Sequence, residues 1–188
     1  VTGNRLQNAA SLKQAKKLLK SFGGIFTGSL LGKKWAENRF RFPYLREGLW
    51  QAGYAVDTLE TATDWVHVDS LLQRVESSLH EALAPEPAHV FTHLSHAYGE
   101  GSSLYTTYLF RLAESYSETL QRWKILKRAA SRAIVEHHGT ISHQHGVGRD
   151  HAPYLPVEKG ALGMAALQAL ALHFDPERRL NPGVLLQE

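Results

Sequence analysis

The 188-residue chain contains no cysteine. This excludes disulfides, thiolate metal sites and cysteine nucleophiles. It fits a reducing compartment, so a cytoplasmic location is expected. No stretch approaches the roughly 18 consecutive apolar residues a membrane-spanning helix needs. The start, Val1-Thr-Gly-Asn-Arg5, lacks the apolar segment of a signal peptide and lacks an initiator methionine, so a trimmed or cut chain is expected. Charge of one sign is also lacking. The net charge is +3 with histidines neutral, evenly spread, so nucleic acid is not an expected partner. No GxGxxG turn, P-loop, HExxH helix or Gly-x-Ser-x-Gly elbow occurs, which removes the nucleotide, zinc-protease and hydrolase sites those patterns build.

What is present is an ordinary globular composition, 43% apolar and 21% charged, long enough for one domain with a full core. Leu12, Ala15, Leu18, Leu19 and Phe22 predict a first helix, capped by Ser11 or Asn8 and stopped at Gly23-Gly24. Gly32 to Phe40 reads as one or two helical turns, and Pro43 suits the start of another helix. Tyr54 to Thr61 alternates like a strand. A helix capped by Thr61 or Thr63 follows, with the stripe Trp65, Val68, Leu71, Leu72, Val75, Leu79, Leu83. His89–His96 and Ser103–Arg111 read as a hairpin, with Tyr105 on one face and Tyr108 on the other. A long helix runs from about Ser117 to His137. The last, Val157 to His173, is apolar on most sides and is expected to be well buried. The tail, with two proline turns and an apolar end, is expected to pack down. The central order, strand-helix-strand-strand-helix-strand, predicts an α+β fold: a ferredoxin-like antiparallel sheet with helices on one face, plus extra N- and C-terminal helices.

Histidine is abundant, 11 in all, grouped at His89, His93, His96 and at His137, His138, His143, His145, His151. Gly139-Thr-Ile-Ser-His-Gln-His-Gly-Val-Gly148 reads as a short strand entering a glycine turn. Alternation puts Ile141, His143 and His145 on one face and Gln144 on the other. Two adjacent imidazoles can exchange protons near neutral pH, hold an anion or bind a metal. The plainer reading is a polar strand end. With His93 or His96 the pair could complete a three-histidine metal set, but the spacing does not demand one and no metal is assigned. Arg46, among Leu45, Leu49 and Trp50, is either a snorkelling surface residue or an anion clamp. A histidine-based metal or interaction module therefore stays open beside an enzyme.

The run Gly139 to Arg149, then Tyr154-Leu155, closed by Phe174-Asp-Pro and Leu180-Asn-Pro-Gly183, resembles the C-terminal part of FAD-linked oxidases of the vanillyl-alcohol oxidase type. Phe42-Pro-Tyr-Leu-Arg-Glu47 with Leu59-Glu-Thr-Ala-Thr-Asp-Trp65 is more narrowly similar to the alkyldihydroxyacetonephosphate synthase branch. The glycolate and D-lactate branches carry Glu-His-Gly where this chain has Gln144-His145-Gly146. The resemblance implies that residues 1–188 are one cap or substrate domain. FAD would be held mainly by the protein's own N-terminal FAD-binding domain, absent here, and the fragment alone would be inactive. It implies catalytic roles for His143, His145 and Tyr105, an anion-binding role for Arg46, and positions near the cofactor for His143, His145 and Asn181, the last also readable as a turn residue before Pro182. The implied function is an oxidoreductase-family enzyme acting at flavin N5 on a small anionic substrate, a phosphate or carboxylate. The alternative is a 2-hydroxy-acid dehydrogenase. A homodimer and a peripheral membrane contact are compatible with it.

Overall fold

The structure, a computed structural model, describes residues 3–41 and 43–186. It divides into two compact units, Val1–Leu45 and Arg46–Glu188. In the first, α1 (Arg5–Ser21) starts earlier than expected. The Asn4 side chain, not Ser11 or Asn8, accepts from the amides of Leu6 and Gln7, satisfying donors that have no partner inside the helix. The predicted apolar stripe forms, but no residue of α1 is buried. α2 (Leu30–Asn38) and a 3-10 turn (Arg39–Arg41) follow.

α3 (Pro43–Gln51) carries Arg46 and Trp50. Then come β1 (Tyr54–Asp64), α4 (Val68–Ala82), β2 (His89–Ala97), β3 (Gly101–Arg111) and α5 (Tyr116–Glu136). β1 runs on through Thr61 and Thr63, so neither caps α4, whose stripe begins at Val68 and leaves Trp65 in the preceding turn. α5 begins with a reciprocal capping box between Ser115 and Glu118. The sheet is antiparallel in the order β1-β3-β2. Leu59, Leu104, Tyr108 and Phe110 pack against Leu71, Val75 and Leu79 of α4 and Leu126, Ala130 and Ile134 of α5. The α+β fold with helices on one sheet face is therefore present. Each of these fully buried leucines contributes about 1.5–3 kcal/mol of transfer free energy.

Two further expectations fail. Residues 139–145 do not form a fourth strand. They lie along the edge of β1 in the place that strand would occupy, with only two backbone bonds, Thr140 N–H to Ala62 O and His143 N–H to Glu60 O. Gln144 stands at φ 62°, which breaks strand geometry. A four-residue α6 (Gly148–His151) and a 3-10 turn (Ala152–Tyr154) lead into α7 (Leu155–Phe174), which is broken at Gly160 (φ 65°). α7 is not well buried: Leu162 is 86% and Leu170 57% exposed. Only Leu155 is buried, with Met164 and Leu167 partly so, because the core touches one side of this helix alone. The tail returns to the α6 turn, Arg149 donating to Pro182 O and Leu185 N–H to Gly148 O, but Leu180 stays exposed. Among the described residues no helix is long and apolar enough to cross a membrane.

Candidate functional site

Paired residues in an antiparallel sheet share a face. Glu60 pairs with Tyr105, and Tyr105 with His93, so these three form a row across the sheet on the face away from α4 and α5. The next row holds Ser103 and His96. Between Leu94 and His96 the register of β2 shifts, and such a bulge re-aims side chains. Ser95 and His96 consequently both turn toward Glu60. Ser95 Oγ donates to Glu60 Oε1 at 2.6 Å, and His96 Nδ1 lies 3.6 Å from the same oxygen.

Glu60 is the centre of the site, with a side chain only 3% exposed. His143 Nδ1 lies 3.4 Å from its Oε1 and His145 Nε2 3.5 Å from its Oε2. Burial pushes its carboxyl up, but the hydroxyls of Ser95 and Ser103 together with His143 outweigh that and hold it below the ordinary 4.5. Glu60 is thus a buried carboxylate, ionised at neutral pH.

Local chemistry brings the histidines there. Gly139 runs so close to β1 that a Cβ on it would sit 2.6 Å from Thr61 Oγ1. Thr61 Oγ1 donates to the Thr140 carbonyl at 2.7 Å. Glu158, at the start of α7, accepts from the Ile141 amide at 2.7 Å and from the Thr140 hydroxyl. Ile141 is thereby pinned into the core, while His143 and His145 reach Glu60 on the opposite face. Alternation alone would put Ile141 and both histidines together. Three residues, Thr140 to His143, advance against two of β1, Ala62 to Glu60, which turns His143 to the other face. The left-handed Gln144 and the Ser142 Oγ–Gly146 O bond then carry the chain on to His145.

The structure therefore brings His143, His145 and Tyr105 together. The Tyr105 ring meets the edge of His145 at 5.9 Å between centroids and lies 5.3 Å from His93. It does not bring Arg46 to them. Arg46 lines a cavity of about 490 Å³ with Trp50, Phe110, Trp123 and the β1 stretch Tyr54 to Thr58, none of which belongs to the histidine cluster. Asn181 sits in a turn at φ 47°, its carbonyl accepting from Val184 N–H. Besides the serines that bond Glu60, two site residues escaped sequence reading. Glu60 carries a weak signal, since acidic residues are depleted in strand interiors. The other is Tyr98, whose hydroxyl lies 3.2 Å from His143 Nε2. For a metal, Glu60, His96 and His143 each offer one donor atom within 4.8 Å of one another. The set contains His96, not His93, and requires a carboxylate the sequence did not single out.

The family model for the C-terminal domain of FAD linked oxidases matches residues 2–185. The chain belongs to this family. Among curated relatives, the alkyldihydroxyacetonephosphate synthase of Trypanosoma brucei brucei is 26% identical over 98% of this chain and 30% of that protein. The synthase of Dictyostelium discoideum is 27% identical over 85% of the chain and 26% of its own length. A glycolate oxidase subunit, GlcD of Bacillus subtilis (strain 168), is 47% identical over 26% of the chain and 10% of that protein. A solved alkyldihydroxyacetonephosphate synthase overlays with TM-score 0.50 at 21% identity, covering 81% of this chain and 24% of that one, a likeness of fold. The chain thus spans about a third or less of the length of these proteins.

Proposed function

We propose that this domain is the substrate-facing part of an FAD-dependent enzyme of the alkyldihydroxyacetonephosphate synthase type, acting on a small anionic substrate. The observation that carries this reading is Glu60, a buried carboxylate touching both His143 and His145 with Tyr105 opposite it across the sheet. Two imidazoles held over one carboxylate fit a site that handles protons beside a cofactor, and they stand on the sheet face that the helices leave free. Bound flavin would supply the electrophilic and hydride-accepting chemistry that no side chain offers. The chain's own residues would do the rest. Glu60 orients the imidazoles and offsets positive charge on them. His143 and His145 take or return a proton from the substrate. Arg46 offers a planar fork of donors suited to phosphate or carboxylate. Its cavity follows β1 to Thr58, two residues short of Glu60, about 7 Å along the strand at roughly 3.3 Å per residue. Asp57, Phe110 and Trp123 put this cavity on the helix side of the sheet, so within this chain the anion clamp and the histidines act from different faces.

A second reading, dehydrogenation of a 2-hydroxy acid, is favoured by the local likeness to the glycolate oxidase subunit. One experiment separates the two. The protein is produced with its upstream coding region and purified, its visible spectrum is recorded, and acyl-dihydroxyacetone phosphate, glycolate and D-lactate are added in turn without oxygen. We expect a yellow protein whose colour bleaches with the acyl-dihydroxyacetone phosphate alone. Bleaching by a hydroxy acid establishes the second reading, and a colourless protein sinks both.

A further inference from the structure

The groups around Glu60 can be ordered by donor and acceptor logic. An ionised carboxylate only accepts hydrogen bonds. Its oxygens already take the Ser95 hydroxyl and face three imidazoles. His143 turns Nδ1 to Glu60 Oε1 at 3.4 Å and Nε2 to the Tyr98 hydroxyl at 3.2 Å. Nδ1 is buried and has no hydrogen-bond partner, its near neighbour being the Glu60 oxygen at 3.4 Å. A bare lone pair on Nδ1 would point at a carboxylate oxygen and be repelled. A proton there makes the same contact attractive. A neutral imidazole has one N–H, so a proton on Nδ1 leaves a lone pair on Nε2. The Tyr98 phenol is then the donor of the 3.2 Å bond.

Tyr98 is held for this task. Its ring stacks on His96 at 6.2 Å with 12° between planes and meets His143 edge-on at 6.0 Å. Its backbone amide donates to Gly101 O, and its carbonyl accepts from Trp65 Nε1. At 45% exposure the ring is open to an incoming molecule. Tyr105 has ring contacts with His145 and His93 but, among the described residues, no hydroxyl hydrogen bond to either.

We propose that Tyr98, His143 and Glu60 form a proton relay. Glu60 is a positioning residue that keeps the His143 proton on Nδ1, and Tyr98 is the phenol whose proton His143 Nε2 accepts. Its use in turnover rests on the flavin-enzyme reading above, but the order of the hydrogen bonds does not. The relay makes Tyr98, beside the tyrosine picked out by the sequence motif, a phenol coupled to the histidine pair.

The test uses this chain without flavin. Long-range proton–nitrogen spectra of the 15N-labelled protein are recorded at pH 8, above the ~6.5 of an ordinary histidine. The expected result is a protonated Nδ1 and a bare Nε2 for His143. Tyr98→Phe should shift the Nε2 resonance and leave the proton on Nδ1. Glu60→Gln, which puts a group able to donate against Nδ1, should lower the share of the Nδ1–H form. A proton on Nε2 in the parent chain overturns the relay, as does an Nε2 resonance indifferent to Tyr98→Phe. If Glu60→Gln fails to fold, those two measurements still decide. A colourless whole protein would end the flavin reading without touching this result.

Discussion

Thr61 and Thr140 are joined by a 2.7 Å hydrogen bond from the Thr61 hydroxyl to the Thr140 carbonyl, across 79 residues of chain. This bond sets the start of the histidine segment against β1, and Gly139 makes it attainable. A Cβ at Gly139 would lie 2.6 Å from Thr61 Oγ1 and 3.0 Å from both Ile134 Cγ2 and Leu71 Cδ2. Gly139→Ala therefore pushes on two core side chains and on the hydroxyl that places Thr140. We expect a loss of about 1–3 kcal/mol, in the range for overpacking, seen as a melting temperature several degrees lower by circular dichroism. An unchanged melting curve would show that the segment does not approach β1 this closely.

Glu158 holds the same segment from the other side. Burial pushes its carboxyl up, but the Ile141 amide, Lys159 and the Thr140 hydroxyl hold it below the ordinary 4.5. Glu158→Ala should leave the buried Ile141 N–H without an acceptor, at a cost of about 1–3 kcal/mol. The specific mark is hydrogen exchange: the Ile141 amide should exchange much faster while amides in the middle of β3 keep their protection.

A half-buried carboxylate, Asp57, lies on the helix side of β1. Its Oδ2 accepts from Tyr108 OH at 2.9 Å and Trp123 Nε1 at 2.7 Å, with Lys127 Nζ at 3.7 Å. Burial, reinforced by Asp57, pushes the Tyr108 phenol up beyond any pH at which the fold would be studied. Tyr108→Phe keeps the ring and removes the donor. It should cost about 1–3 kcal/mol in urea unfolding with an unchanged m-value, since the buried surface is the same.

Acid should weaken the fold in two stages. Burial, and then the charge of Lys127, hold His151 below the ordinary 6.5. The unfolded chain therefore takes up this proton first, and stability falls as the pH drops below 6.5. Glu60 and Glu158 lie below the ordinary 4.5. Their contribution is complete above 4.5 and is lost as the pH falls from there through their folded values. Urea midpoints taken from pH 8 to pH 3.5 should show both steps. His151→Gln should remove the upper one and keep the lower, and a single step in that variant's parent would contradict the assignment.

Apolar periodicity located β1, α4 and α5, because each buries one face and the spacing of its apolar residues records that face, and the hairpin pattern located β2 and β3. The motif around His143 and His145, with the tail at Asn181, was enough to point to the family. Other features were out of reach of local reading. The apolar run of α7 says that its side chains avoid water, not what covers them, and within this chain the core reaches only one side. Residues 139–145 have a strand's alternation, but Gly139 pressed on Thr61 and the kink at Gln144 decide their path. Glu60, Ser95 and Tyr98 look unremarkable in sequence. The β2 bulge turns Ser95 and His96 the same way, and the closure of residues 140–143 on β1 brings His143 between Glu60 and Tyr98. Which residues are apolar is written along the chain. Which polar groups face one another depends on register, bulge and edge contacts between segments far apart in it, and only the folded sheet determines those.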